Sequence, residues 1–263
     1  MPWLQLNFGL ARPDPRTHAR ALLAQVLEHP ACADGLFFQR KSPDLRLRIR
    51  TEDPARCFRA LWPTLRALRE AGALTTYYRS VYEPEEYLFG GRGPSEVIHD
   101  YFVAETAAWV RHDLRVGAGV STVVSGALTR AVLEDLLLRC IGDHTEVWDA
   151  WIRLEEVLTG YGATLDEPRP PRHTLGELTQ GAAPEDRAIL AAWGSAHLAL
   201  AQALQGELAR GRLRAGLRAV LVRVAMFVAN RHGLTGHASR ALANAEVEAL
   251  APERTLIPLR DPK

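Results

Sequence analysis

The sequence predicts an α+β protein, with a ferredoxin-like βαββαβ antiparallel sheet at the N-terminus followed by a mostly α-helical C-terminal half packed on it. Residues 3–82 hold four segments typical of strands, separated by two segments with helical spacing. After Gly91 only helical spacing remains. We therefore expect residues 1–92 to form the ferredoxin-like α+β region and residues 93–263 the helical region of one compact domain.

The first strand and the first helix have clear sequence signals. Residues 3–8 alternate as a half-buried strand does. Asp14 then offers a helix N-cap, with Pro15 at the first helical position, and apolar residues follow at helical spacing over 19–27. The same signals continue along this half: they predict strands at 35–41, 44–51 and 75–82, and a second helix that begins after an Asp53 cap and ends at Gly72.

The C-terminal half is predicted to consist of helices joined by loops. The segment at 163–173, with three prolines and mixed charge, is the best loop candidate. The Leu/Ala/Arg-rich stretch at 191–228 favours two core helices over a coiled coil. The predicted helices cover about 93–116, 125–140, 145–158, 184–209, 212–231 and 237–250.

The most distinctive local pattern lies in the predicted third strand, where apolar and cationic residues alternate. Strand side chains switch faces at each residue, so Arg46, Arg48 and Arg50 share one face of the sheet. We expect that face to lie opposite the two N-terminal helices, with the helical half packed over part of it. A row of guanidinium groups is suited to binding an anionic or carbonyl-rich ligand. A solvated sheet face explains the pattern equally well.

Composition, charge and cysteine spacing argue against several classes of protein. The net charge of +1 over 263 residues argues against wholesale nucleic-acid binding. No run of about 18 apolar residues predicts a membrane span, and the N-terminus lacks the basic region of a signal peptide. The widely spaced Cys32, Cys57 and Cys140 fit reduced thiols in a cytoplasmic protein. No zinc, phosphate-binding or hydrolase motif is present, so the residues alone name no reaction.

Four ordered motifs together carry a family resemblance. They are FFQRKSPDLRLRIR at 37–50, YEPEEYLFGG at 82–91, FVAET at 102–106 and MFVANRHGL at 226–234. This set resembles the thiopeptide-type bacteriocin biosynthesis family, which is related to the C-terminal glutamate-elimination domain of lantibiotic dehydratases. Each motif alone is weak, and the specificity comes from their order along nearly the whole chain.

The resemblance implies a site that departs from the family pattern in two places. Elimination domains of this family use an Arg-Leu-Arg pair, which is intact here as Arg46 and Arg48. They also use an arginine before Phe-Gly-Gly, where Leu88 stands, and a histidine where Met226 stands. Eliminating glutamate needs a base for the α-proton and cations for the leaving carboxylate, and leucine and methionine supply neither.

A branch of the family fits better: stand-alone pyridine synthases, which join two dehydroalanines of a modified precursor peptide in a formal [4+2] cycloaddition. Water and the leader peptide are then lost, leaving a macrocycle. Such chemistry depends on positioning and on neutral acid/base groups, and we expect no metal and no cofactor. The expected partners are the leader-bearing precursor peptide and other enzymes of the same pathway. The alternatives are a stand-alone glutamate-elimination component and a non-catalytic subunit that binds the precursor.

The candidate site residues follow from these motifs. Tyr78 and Tyr82, predicted to share a strand face, and His232 are the candidate catalytic proton-transfer groups. The predicted substrate-binding residues are Arg46, Arg48, Arg50, Glu83, Asn230 and Arg231. Each has a structural alternative: the tyrosines pack with satisfied hydroxyls, and the Asn-Arg pair holds the last helix by hydrogen bonds.

Overall fold

The computed structural model describes residues 2–161 and 170–251, and it confirms the α+β class. The N-terminal half has the predicted order of strands and helices. Its four strands form one antiparallel sheet with the order β2-β3-β1-β4. The elements are β1 (Trp3–Leu10), α1 (Pro15–Leu27), a short 3-10 turn (Pro30–Cys32), β2 (Leu36–Gln39), β3 (Leu45–Arg50), α2 (Pro54–Glu70) and β4 (Leu74–Ser80).

Both predicted helix caps of this half are present. The Asp14 carboxylate accepts the backbone N–H of Thr17 at 3.1 Å, and Asp53 accepts that of Arg56 at 2.9 Å. Each cap satisfies an N–H group that the first helical turn leaves without a partner. The two helices therefore begin where the sequence places them.

The apolar face of the sheet forms the core with α1 and α2. Leu6, Phe8 and Leu47 on this face have no exposed surface, and Leu22 and Leu61 meet them from the two helices. Because strand side chains alternate, the arginines of β3 point to the opposite face. That second face carries the candidate site.

Seven helices occupy the rest of the described chain. They are α3 (Arg92–Gly117), α4 (Ser125–Ile141), α5 (His144–Val157), α6 (Leu175–Gly181), α7 (Pro184–Ala209), α8 (Leu217–Arg231) and α9 (Gly236–Leu250). None of these helices is long and apolar enough to cross a membrane. Most of the loop predicted at 163–173 lies outside the described residues, so only its end at 170–173 is seen, without helix or strand.

Two helix predictions are corrected. The helix predicted at 212–231 begins only at Leu217, because residues 212–216 form a loop whose Arg214 N–H donates to the Gly90 carbonyl at 2.7 Å. The short α6 was not predicted, although its Thr174 and Glu177 form a capping box that is readable in the sequence. The displaced helix start matters for function because the loop in its place borders a cleft.

Candidate functional site

Arg48 is buried, because the helical half covers this part of the second sheet face, as the sequence analysis expects for part of that face. Only 4% of Arg48 is exposed, because α3 and the segment after β4 cover it. Its guanidinium lies 4.7 Å from the ring centre of Tyr82 and 5.2 Å from that of Phe37. Its Nε donates to the Gln5 side chain at 3.1 Å. Among the described residues, Arg48 has no carboxylate partner, and its Nη1 has no hydrogen-bond partner.

A buried arginine without a counter-charge is costly, and the electrostatics of Arg48 show this. Burial lowers the pKa of Arg48, while Tyr82 and Glu85 act in the opposite direction. Its guanidinium is instead stabilised by the two aromatic faces through cation–π contacts. The Nη1 group of Arg48 is thus a buried donor without a partner among the described residues.

The other two arginines of the row are partly exposed and have local partners. Arg46 donates from Nε to the Ser42 carbonyl at 3.0 Å. Arg50 pairs with Asp100 at 2.5 Å and stacks 5.0 Å from the Trp3 ring centre. Burial therefore differs along the row, since Arg48 is buried and its two neighbours are partly exposed. The substrate-binding role of all three arginines stays a prediction.

Tyr82 lies beyond β4, which ends at Ser80, so the prediction that it shares a strand face with Tyr78 is wrong. The segment after the strand turns the ring inward over Arg48 and under α3. There the Tyr82 hydroxyl lies 2.7 Å from Nε2 of His99, a residue of α3. Sequence reasoning did not single out His99, because only the path of α3 across the sheet brings it to Tyr82.

Both members of this pair are neutral near pH 7. Burial raises the pKa of Tyr82. Burial, together with the charges of Arg48 and Arg50, lowers the pKa of His99 to about 4. The phenol and the neutral imidazole share one hydrogen bond whose donor depends on the histidine tautomer, and the pair can move a proton without creating a separated charge.

His99 borders an open cavity of about 440 Å³ at the start of α3. Trp3, Arg50 and Pro84 line the same cavity. The Tyr82–His99 pair is thus positioned between the buried Arg48 and a space large enough for several peptide atoms. We call this space the histidine cavity.

A second and larger cleft, of about 760 Å³, borders the Gly90-Gly91 turn. The turn needs glycine because φ is +81° at Gly90 and +122° at Gly91. A Cβ on Gly90 would lie 2.9 Å from Leu213 in the loop that precedes α8. The close packing of turn and loop builds one wall of the cleft.

This cleft is cationic. Its arginines are Arg92, Arg212, Arg214 and Arg223. Arg212 is bound to the buried Glu207, with contacts of 2.5 and 2.9 Å, and Arg92 pairs with Glu96 at the surface. Neither Arg214 nor Arg223 has an acidic partner within residues 2–161 and 170–251. We call this space the arginine cleft. Glu86 and Arg92 line both the arginine cleft and the histidine cavity, so the two spaces adjoin.

The two family departures lie in different surroundings. Leu88 lines the arginine cleft. Met226 faces a small, mainly apolar pocket of about 120 Å³ with Leu133 and Trp151. The described residues that line the pocket at Met226 include no histidine, lysine or carboxylate, whereas the arginines around Leu88 keep cations in the cleft.

Asn230 holds the edge strand against α8. Its side chain accepts the backbone N–H of Arg40 and donates to the Arg40 carbonyl, both at 2.8 Å. This paired geometry matches the structural alternative given for the Asn-Arg motif. A substrate-binding role for Asn230 stays a prediction, since its amide is already engaged at both atoms.

Arg231 and His232 lie in the protein interior around Glu105. Arg231 Nε donates to one Glu105 oxygen, and His232 Nε2 lies 2.7 Å from the other. His232 also stacks on Trp109 with ring centres 3.9 Å apart, and all three charged or titratable side chains have no exposed surface. Their predicted substrate-binding and catalytic roles stay predictions, and in this geometry both side chains are fully buried and bound to Glu105.

The remaining candidates are on the surface. Tyr78 lies on the open part of the second sheet face and is 49% exposed, and Glu83 is exposed in the segment after β4. Within the described residues, no group of three His, Cys, Asp or Glu side chains could hold a metal ion. The sequence thus led to Arg48 and Tyr82, and it missed His99, Arg214 and Arg223. Glu105 could have been identified from the sequence, because it is the acidic residue of the FVAET motif.

Comparisons with known proteins agree with the fold. The sequence matches the family described as "Lantibiotic biosynthesis dehydratase C-term" over residues 5–245. A search of curated proteins gives no match. Among solved structures, the chain is similar to the tRNA-dependent lantibiotic dehydratase MibB from Microbispora sp. 107891, with a TM-score of 0.66 and 18% identity over 95% of this chain. It spans 28% of the length of that protein.

A second solved structure is the pyridine synthase TbtD from thiomuracin biosynthesis. The TM-score is 0.48 and the identity 14%, over 95% of this chain and 97% of that one. That likeness is too weak to bear on function. At 18% identity the likeness to MibB shows a shared fold alone.

Proposed function

The chain belongs to the lantibiotic biosynthesis dehydratase C-terminal family, and on that premise we propose that it is an enzyme that tailors a ribosomally synthesised peptide. Its proposed reaction is a formal [4+2] cycloaddition between two dehydroalanines of a leader-bearing precursor. Loss of water and of the leader peptide then gives a pyridine-type ring and a macrocycle. Enzymes that dehydrate serine in the same precursor must act first.

The observation that supports this proposal is the neutral Tyr82–His99 pair at the edge of the histidine cavity. Cycloaddition needs a proton shifted from the amide nitrogen to the amide oxygen of one partner, so that a 2-azadiene forms. Aromatisation then needs a proton for the departing hydroxyl. A phenol bonded to a neutral imidazole can give and take these protons, and the Arg50 guanidinium, which lines the histidine cavity, can orient the peptide carbonyl.

The test is a precursor with two dehydroalanines, incubated with the purified protein and followed by mass spectrometry. We expect two products, the intact leader and a macrocycle. Their masses together should be one water less than the mass of the precursor. Tyr82→Phe keeps the ring over Arg48 but removes the hydroxyl, so turnover should fall by a factor on the order of 10²–10⁴. Tyr161→Phe removes a phenol from a half-exposed ring outside the site and serves as the matched control. Full turnover by Tyr82→Phe would contradict the role of the pair.

Glutamate elimination is a second candidate, because the arginine cleft keeps cations beside Leu88. Arg214 and Arg223 could accept a leaving glutamate where the family arginine is absent. A glutamylated precursor that loses glutamate would establish this activity, and Arg223→Gln should then slow it. Binding of both peptides without conversion of either would instead identify a non-catalytic precursor-binding subunit.

A further inference from the structure

Strand β4 forms one edge of the sheet, and its outer side is exposed. β4 pairs with β1 on its inner side and is last in the strand order. Thr75, Thr76, Tyr78, Arg79 and Ser80 are all exposed. An exposed edge presents N–H and C=O groups that can pair with another extended chain.

Backbone hydrogen bonds show which residues of β4 point outward. The Leu10 N–H donates towards β3, to the Asp44 carboxylate at 2.8 Å, and the Ala11 N–H donates towards β4, to the Ala73 carbonyl at 3.1 Å. By alternation, Gln5 and Asn7 of β1 direct their N–H and C=O groups to β4.

The partners of those two residues in β4 are Ser80 and Tyr78. Tyr77 and Arg79 alternate with them and therefore direct their backbone groups away from the sheet. These two residues offer up to four backbone hydrogen bonds to an incoming strand.

An aromatic and cationic flank lies beside this edge. The Trp62 ring of α2 is 46% exposed and lies 5.7 Å from the Tyr77 ring and 5.7 Å from the Phe58 ring, measured between centres. The Arg79 guanidinium lies 5.4 Å from the Phe58 ring centre, and Arg79 has no acidic partner among the residues described. Side chains of an added strand would contact apolar rings and one free cation.

The edge leads to the candidate active site. At the end of β4, a cavity of about 380 Å³ is lined by Arg79, Ser80 and Tyr82. Trp3 and Pro84 line both this cavity and the histidine cavity. A chain that lies along β4 can therefore continue past Tyr82 to His99 without leaving the surface.

We propose that the β4 edge docks an extended peptide segment with acidic residues, which adds to the sheet as a fifth strand. Main-chain hydrogen bonds to Tyr77 and Arg79 give affinity, and the flank selects side chains. A second copy of this chain would bring another Arg79 and no acidic residue of β4 to the edge, so charge complementarity favours an acidic segment. Identifying the segment with the leader of the precursor rests on the proposed function.

The probe is a synthetic acetylated octapeptide of sequence VTETVTET, observed by residue-resolved amide exchange in the intact protein. Its valines and glutamates share one strand face, as the rings and Arg79 of the flank do. We expect the amides of Tyr77 and Arg79 to become protected, while those of Tyr78 and Ser80 are already slow because they bond to β1. An octapeptide with serine in place of glutamate should bind more weakly. Arg79→Glu should weaken binding of the acidic probe by about three- to tenfold, while Arg111→Glu on α3 makes the same charge change and should not.

Three results would overturn the proposal. They are no binding of the acidic probe, protection at the arginine cleft instead of at β4, and protection of the β4 edge amides in the protein alone. The last result would show that another part of the chain, or a second copy, already covers the edge. None of these results depends on turnover, so docking and the proposed reaction can fail separately.

Discussion

The Glu105 carboxylate contacts two consecutive residues, Arg231 and His232, which lie 126 and 127 positions further along the chain. Burial raises the pKa of Glu105, but the Arg231 charge and the His232 hydrogen bond outweigh it and hold the pKa below its ordinary value. Burial lowers the pKa of His232. The group is therefore one carboxylate, one guanidinium and one neutral imidazole, with no net charge in the interior.

Removing the carboxylate should leave Arg231 as an uncompensated buried charge. We predict that Glu105→Gln lowers the free energy of unfolding by about 3–5 kcal/mol, because the loss of one partner of a buried pair leaves the other charge desolvated. Urea titration followed by circular dichroism measures it. Glu96→Gln, which breaks the surface pair with Arg92, is the control and should change little. Equal losses in both variants would refute the argument.

At the scale of elements, the Gly90-Gly91 turn determines how β4, α3 and α8 meet. It ends the segment that carries Tyr82 and begins the helix that carries His99. The loop at 212–216 packs on it, so the helix predicted from residue 212 begins only at Leu217. One short turn thus positions both the histidine cavity and the arginine cleft.

A Cβ at this turn should strain it. Gly91 has φ +122° and ψ 174°, a region that is essentially restricted to glycine, so Gly91→Ala should lower the free energy of unfolding by about 1–3 kcal/mol. Gly194→Ala is the matched control: this helical glycine has no atom within 4 Å of an added Cβ, and alanine there should raise stability by about 0.5–1 kcal/mol. Chemical unfolding of both variants checks the opposite signs, and a stabilised Gly91→Ala would contradict the turn geometry.

At the scale of the whole molecule, helices cover both faces of the sheet, α1 and α2 on one and α3 on the other. The second layer buries titratable groups that a bare sheet would leave in water. Burial lowers the pKa of His99 and of His112 to about 4 each, and it also lowers that of His232.

These buried histidines should make the protein acid-sensitive. Between about pH 6.5 and 4 the unfolded chain binds more protons at these sites than the folded protein, so stability falls as the pH falls through that window. We predict a decreasing free energy of unfolding from pH 7 to 4.5, measured by urea titration at each pH. His112→Gln should flatten the slope, whereas His144→Gln at an exposed position should keep it. A pH-independent stability would rule out neutral buried histidines.

Much of the fold could be predicted because its signals are local. The Asp14 and Asp53 caps begin α1 and α2 where the sequence places them, and α7 has the predicted bounds, Pro184–Ala209. Strand alternation correctly put the β3 arginines on one face. The start of α8 could not be predicted, since helical propensity continues through 212–216 and only packing on the glycine turn interrupts it.

The sequence by itself determined the α+β plan, the arginine row, the glycine turn and the motifs that name the family. Only the tertiary structure decided that α3 covers Arg48, that His99 meets Tyr82, and that Arg214 and Arg223 stand beside Leu88. The physical reason is the distance along the chain over which each kind of signal acts. Caps and periodicity act within one or two turns, whereas burial and partners depend on how distant segments cross, which no local pattern encodes.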